Sequence, residues 1–110
     1  MASVAQCREA LETVAARMAA DPDPSRRDID RAFTCHITDL DAYFSGRLAG
    51  GTIVGLTDSD DPRADVRLSL RGDDLLALVD GSLNFAKAWA AGRVSVRASF
   101  RDLLRLRKLM

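Results

Sequence analysis

The amino-terminal segment carries an apolar stripe with helical spacing. Its members recur at steps of three and four residues and are Val4, Cys7, Leu11, Val14 and Met18. Charged side chains fill the opposite side, and Ser3 provides an amino-terminal cap. The Asp-Pro repeat over 21–24 ends the pattern, because proline cannot continue the hydrogen-bond ladder of a helix. The segment is therefore predicted to form an amphipathic helix.

The following apolar residues alternate with polar ones, which is typical of half-buried strands. The alternation predicts strands over 33–37, 42–48, 52–56 and 66–71. Gly50 and Gly51 separate the second strand from the third and supply the positive φ angles of a tight hairpin. A polar loop separates the third strand from the fourth.

The last third of the chain returns to short helical patterns. It predicts a helix from Asp73 to Asp80, a helix over 83–91, a strand over 93–98 and a final helix after Ser99. Asp73 and Ser82 are the predicted caps of the two short helices, and Gly81 ends the first of them.

This order of elements predicts an α+β fold in which helices cover one face of a five-stranded twisted sheet. With 110 residues, 47% of them hydrophobic and 29% charged, the chain has the size and composition of one globular domain spanning 1–110.

Charge and chain ends restrict the partners and the location. Sixteen basic and sixteen acidic residues give zero formal net charge, so no long-range field favours nucleic acid. The amino terminus shows neither a basic leader nor a long apolar run, which predicts a cytoplasmic protein. No cofactor motif is recognisable.

The candidate catalytic residues lack partners. His36, the only histidine, falls on the polar side of its strand, and Cys35 points to the opposite face, so the two cannot form a nucleophile and base pair. Cys7 and Cys35 lack metal or redox spacing and are interpreted as reduced core thiols. Asp58-Ser59-Asp60 begins like a calcium loop, but the glycine and distal glutamate do not follow. We predict no metal site and no enzyme activity.

The carboxy-terminal third holds more apolar bulk than three short helices need for docking. The residues are Leu75, Leu76, Leu78, Val79, Leu83, Phe85, Trp89, Leu103, Leu104, Leu106, Leu109 and Met110. They could form an ordinary core, line a cavity or form a partner surface.

Segment 64–83, ADVRLSLRGDDLLALVDGSL, resembles the sterol carrier protein type-two family. An aspartate opens a strand there, and an acidic helix start, a leucine-rich turn and a glycine follow. Residues 86–98 continue the pattern with a helix, a glycine and a strand, and 37–39 and the Gly50-Gly51 hairpin are similar to the first strands of the family.

The resemblance implies a mostly antiparallel sheet and an apolar tunnel that takes fatty acids, fatty acyl-CoA, phospholipids or sterols without a catalytic step. The tail over 107–110 is not a peroxisomal address, and the alanine- and arginine-rich composition favours a bacterial source. The predicted partner is a lipid or fatty acyl ligand, with transient membrane contact and a homodimer as further expectations.

The residues predicted to line the cavity are Phe33, Cys35, Phe44, Leu68, Leu76, Leu83, Phe85, Trp89, Leu103 and Leu106. The alternative is an accessory interaction or dimerisation module of the same fold without a lipid tunnel, in which the same leucines would form a partner surface.

Overall fold

A computed structural model describes residues 2–20, 29–99 and 101. Within them, the elements in chain order are α1 Val4–Ala20, β1 Arg31–Ile37, β2 Ala42–Ala49, β3 Thr52–Thr57, β4 Val66–Leu70, α2 Gly72–Asp80, α3 Phe85–Ala90 and β5 Val94–Arg97. This order matches the prediction. The predicted helix after Ser99 lies outside the described residues, apart from Arg101, which is helical.

The strands form one mixed sheet in the order β3-β2-β1-β4-β5. β1 and β4 are parallel, and the other three pairings are antiparallel. The predicted α+β class and the mostly antiparallel sheet are therefore confirmed. The parallel pair arises because the chain crosses from the edge strand β3 over two strands before it enters β4.

The crossing loop lies on the sheet face away from the helices. Thr34 and Ser45 alternate with the helix-facing residues of β1 and β2, and their hydroxyls lie 2.8 Å apart. The Ser45 hydroxyl donates to the Ser59 carbonyl at 2.6 Å, and the Thr34 hydroxyl donates to the Asp61 carbonyl at 3.2 Å. These bonds hold the loop on the sheet, so both faces of the central strands are covered.

The helices cover the other face, where α1 contacts α2 and β3, and α3 contacts β5. Among the described residues, no helix combines the length and the apolar composition needed to cross a bilayer.

The predicted cap of α2 was wrong. The helix begins at Gly72, and the Gly72 N–H donates to the Asp39 carboxylate at 2.8 Å, whereas the Asp73 carboxylate accepts from the Ala2 N–H at 2.8 Å. Asp39 comes from the loop after β1, so its role depends on the fold and not on local sequence. Gly81, with φ of 85°, ends the helix as predicted.

The predicted cap of α3 was also wrong. Asn84 caps this helix by accepting from the Lys87 N–H at 3.1 Å. The Ser82 N–H instead donates to the Asp80 carboxylate at 2.8 Å, which closes a turn between the helices. The side chain of Ser82, and then this backbone hydrogen bond, lower the pKa of Asp80.

Candidate functional site

An apolar cavity of about 360 Å³ lies between the sheet and the three described helices. Its wall consists of Leu11, Val14, Arg17, Met18, Phe33, Leu48, Ile53, Val66, Leu68, Leu75, Leu78, Val79, Leu83, Phe85, Trp89 and Val96. Every one of these residues except Arg17 is apolar. A cavity of this composition favours hydrocarbon and gives polar ligands few partners.

The strand register arranges the helix-facing side chains in rows across the sheet, and three consecutive rows show where the cavity ends. The first row holds Phe33 and Val66; the second holds Phe44, Cys35, Leu68 and Val96; the third holds Ala42, Ile37, Leu70 and Val94. Both residues of the first row line the cavity. In the second row only Leu68 and Val96 do, and in the third row none does. The cavity therefore ends within the second row.

The helices show the same division. On α1, Leu11, Val14 and Met18 line the cavity, whereas Cys7 and Ala10, nearer the amino terminus, are buried in the core. The interior thus has a hollow half, bounded by the first row and the later turns of α1. It also has a filled half, bounded by the third row and the first turns of α1.

Residues on and before α3 close one side of the hollow half. Leu83, Phe85 and Trp89 all line the cavity and are partly buried. The rings of Phe85 and Trp89 meet edge to face with centroids 6.0 Å apart. Trp89 is the only tryptophan, so its fluorescence reports on this wall.

Arg17 is the one charged residue among the described residues of the wall. Its side chain is exposed, and its Nη1 donates to the Val79 carbonyl at 2.6 Å. This bond holds the guanidinium at the rim between α1 and α2. Among the described residues no carboxylate pairs with Arg17.

A family model described as the SCP-2 sterol transfer family matches residues 10–110. The chain belongs to this family. The predicted resemblance is therefore confirmed, and family membership supports lipid binding or transfer in general. No curated protein matches the chain significantly.

Solved structures share the SCP-2 fold. Sterol Carrier Protein 2 Like 2 from Aedes aegypti superposes with a TM-score of 0.74 at 18% identity, over 98% of this chain and 100% of the other. The palmitated form of the mosquito protein gives 0.67 at 17% identity, over 92% and 91%. The stereoselective inverting sec-alkylsulfatase Pisa1 from Pseudomonas sp. gives 0.63 at 22% identity, over 88% of this chain and 15% of the enzyme.

Five of the residues predicted for the tunnel of this SCP-2 member line the cavity: Phe33, Leu68, Leu83, Phe85 and Trp89. Leu103 and Leu106 lie outside the described residues. That the lining residues touch a ligand stays a prediction.

Three predicted lining residues lie elsewhere. Cys35 and Phe44 are fully buried in the second row and do not line the cavity, because the register places them under the first turns of α1. The Arg8 guanidinium lies over the Phe44 ring, 5.9 Å from its centroid. Leu76 is half-buried on α2 and outside the wall, because Leu75 and Leu78 occupy the helix face that meets the cavity.

The residues of α1 were not assigned to the cavity from the sequence. Leu11, Val14 and Met18 were already recognised as one apolar stripe, and its later part could have been assigned to the cavity. Arg17 lies on the polar side of that pattern, so no sequence signal separated it from solvent-facing arginines. The remaining missed lining residues are Leu48, Ile53, Val66, Leu75, Leu78, Val79 and Val96.

The thiols are unsuited to nucleophilic chemistry. Cys7 and Cys35 are free and buried. Burial raises the pKa of Cys35 to about 12 and also raises the pKa of Cys7, to which Asp39 and Asp73 contribute. Both remain protonated near neutral pH, and only the thiolate is an effective nucleophile.

The histidine and the aspartates that were considered from the sequence for catalysis or metal binding have structural partners. The His36 ring stacks on Tyr43 at a centroid distance of 4.3 Å, and its Nε2 lies 3.2 Å from the Asp41 carboxylate. Asp58 pairs with Arg8, and Asp60 pairs with the Arg67 guanidinium at 3.1 Å. Across the part of the chain that the structure describes, no acidic, histidine or cysteine cluster could hold a metal ion.

Proposed function

We propose that this protein binds one lipid with an extended acyl chain, holds the chain in the cavity with the polar head at Arg17, and transfers it without a catalytic step. The observation that carries the proposal is the cavity wall, whose described residues are all apolar except Arg17. A fatty acid is the simplest ligand that matches both features.

The energetics favour binding of a single chain. Burial stabilises the complex by about 0.8 kcal/mol per methylene, so a sixteen-carbon chain gains roughly 12 kcal/mol before association costs of several kcal/mol are subtracted. Micromolar affinity follows. The volume of about 360 Å³ is near the lower end of typical ligand cavities, which favours one chain over both tails of a phospholipid.

The proposed ligand can be tested with a fluorescent fatty acid. We expect saturable one-to-one binding with quenching of Trp89, which lies in the wall. Replacing Arg17 by methionine should weaken binding of the acid about fivefold, the upper end for an exposed ion pair. Binding of the alcohol of equal chain length should not change, because it carries no charge.

Arg97→Met is the matched control for this experiment. Arg97 is exposed on β5 and does not line the cavity, so its loss should leave both affinities unchanged. Equal weakening of acid and alcohol in Arg17→Met would contradict the assignment of the head group to Arg17. The absence of any saturable binding would contradict the proposed function.

The second candidate is an accessory interaction or dimerisation module. The likeness to a segment of the sec-alkylsulfatase supports it, because a similar fold there is part of a larger enzyme. In that case the fluorescent acid should give no signal, and the protein should form a dimer with increasing concentration.

Transfer of a lipid requires transient contact with a membrane, and we propose this contact as part of the carrier function. The cytoplasmic location and the bacterial source stay predictions from the sequence.

A further inference from the structure

We infer that Phe44 and Cys35, which are buried directly behind the inner end of the cavity and are called the floor below, stop the acyl chain and set the longest chain that the protein accepts. The inference rests on the proposed function, and adds to it a ligand class defined by chain length.

The position of the floor follows from the second row. Leu68 and Val96 line the cavity, whereas Cys35 and Phe44 of the same row are fully buried without lining it. The first row, just outside them, still lines the cavity at Phe33. A chain that enters at Arg17 and runs along Phe33 toward the filled half therefore meets Cys35 and Phe44.

The floor is backed by a charged group on one side. The Arg8 guanidinium lies over the Phe44 ring and forms ion pairs with Asp58 and Glu12. A chain longer than the cavity would have to displace the ring and bring its methyl end to this guanidinium. It is unfavourable to replace the water or the carboxylate next to this guanidinium by hydrocarbon. The limit on chain length should therefore be sharp.

On the other side, the floor is backed by close packing. A Cβ atom added at Gly72 would lie 3.2 Å from the Cys7 Sγ and 3.4 Å from the Ile37 Cγ2, and both of those side chains are fully buried. No space for further methylenes exists at this point of the filled half.

The floor predicts a break in the dependence of affinity on chain length. Below the limit, each added methylene should lower the Kd about fourfold, and above it the Kd should stop falling. In Phe44→Leu the ring is replaced by a smaller apolar side chain, which makes room for roughly one further methylene. The break should move by about one carbon to longer chains, and acids just beyond the original limit should bind about fourfold more tightly to the variant than to the unmodified protein.

The test is a titration of saturated fatty acids of increasing length against the full chain and its variants. Leu70→Val is the matched control, because Leu70 is buried in the third row and does not line the cavity. It should destabilise the fold without moving the break. Cys35→Ala provides a second test if Phe44→Leu does not fold, because a smaller side chain in the floor should also move the break to longer chains.

The outcomes separate the inference from the function on which it rests. A break that moves to longer chains in Phe44→Leu or Cys35→Ala, but not in Leu70→Val, supports the floor. Chain-length profiles that stay unchanged in folded Phe44→Leu and Cys35→Ala overturn it, while binding by the unmodified protein still supports the proposed function. Failure of the unmodified protein to bind any acid of the series overturns both.

Discussion

Filling the cavity with two phenyl rings is expected to abolish acyl-chain binding. In the double variant Val14→Phe/Leu78→Phe, one ring enters from α1 and the other from α2, and both positions line the cavity. Displacing about three methylenes of a bound chain, at roughly 0.8 kcal/mol each, raises the Kd at least about 50-fold. Both sites are partly buried and border empty space, so the rings should fit without the strain that overpacking causes in a filled core. Titration with a fluorescent fatty acid measures the effect.

The control for this variant is Ala16→Phe. Ala16 is exposed on α1 and does not line the cavity, so a ring there adds apolar bulk to the same helix without entering the wall. Its Kd should equal that of the unmodified protein. If the double variant keeps full affinity while folded, the ligand binds somewhere other than this cavity.

The same leucine-to-alanine change should have very different costs in the two halves of the interior. Leu70 is 2% exposed in the filled half, and Leu70→Ala should lower the free energy of unfolding by about 3 kcal/mol because it leaves a cavity in close packing. Leu78 is partly buried and already borders empty space, so Leu78→Ala should cost only about 1 kcal/mol. Urea unfolding of lipid-free protein measures both values.

Lipid must be removed for this comparison, because a ligand that binds only the folded state adds apparent stability that grows with the logarithm of its free concentration relative to the Kd. Equal costs for Leu70→Ala and Leu78→Ala would mean that the interior is filled throughout. A folded Leu78→Ala variant with normal stability and altered binding would support the hollow half directly.

Periodicity predicted the secondary structure well because each element places its apolar side chains on one face, even in β1 and β2, where the crossing loop also covers the polar face. The steps of three and four in α1 and the alternation in β1 and β4 are local consequences of that burial. The caps were harder to predict. The N–H of Gly72 at the start of α2 donates to the carboxylate of Asp39, which approaches it only after the sheet forms. No local sequence pattern indicates such a contact.

The residues that line the cavity were predicted only in part, because their selection also depends on contacts that form in the folded protein. Alternation shows which face of the sheet a residue occupies, so Phe33, Cys35 and Phe44 were all placed facing the helices. It does not show how far along the strand the helices stop packing closely. That boundary depends on the pairing of Cys35 with Phe44 and with Leu68, which only the folded sheet defines.

Arg17 illustrates the limit for polar residues. In the sequence it belongs to the polar side of α1, like Arg8, and yet Arg8 lies over Phe44 and Arg17 lies at the rim of the cavity. The difference arises from the position of each residue along the helix relative to the two halves of the interior.

The most direct test of the central claim is an isotope-edited NMR experiment on the protein with ¹³C-labelled palmitate. Nuclear Overhauser contacts are expected between the palmitate methylenes and the side chains of Phe33, Leu68 and Val96, which line the cavity from three strands. The claim that an acyl chain occupies the space between helices and sheet would be contradicted by a different result. In that result the palmitate methylenes show Overhauser contacts only to exposed residues, and the three side chains show contacts only to one another and to the helices.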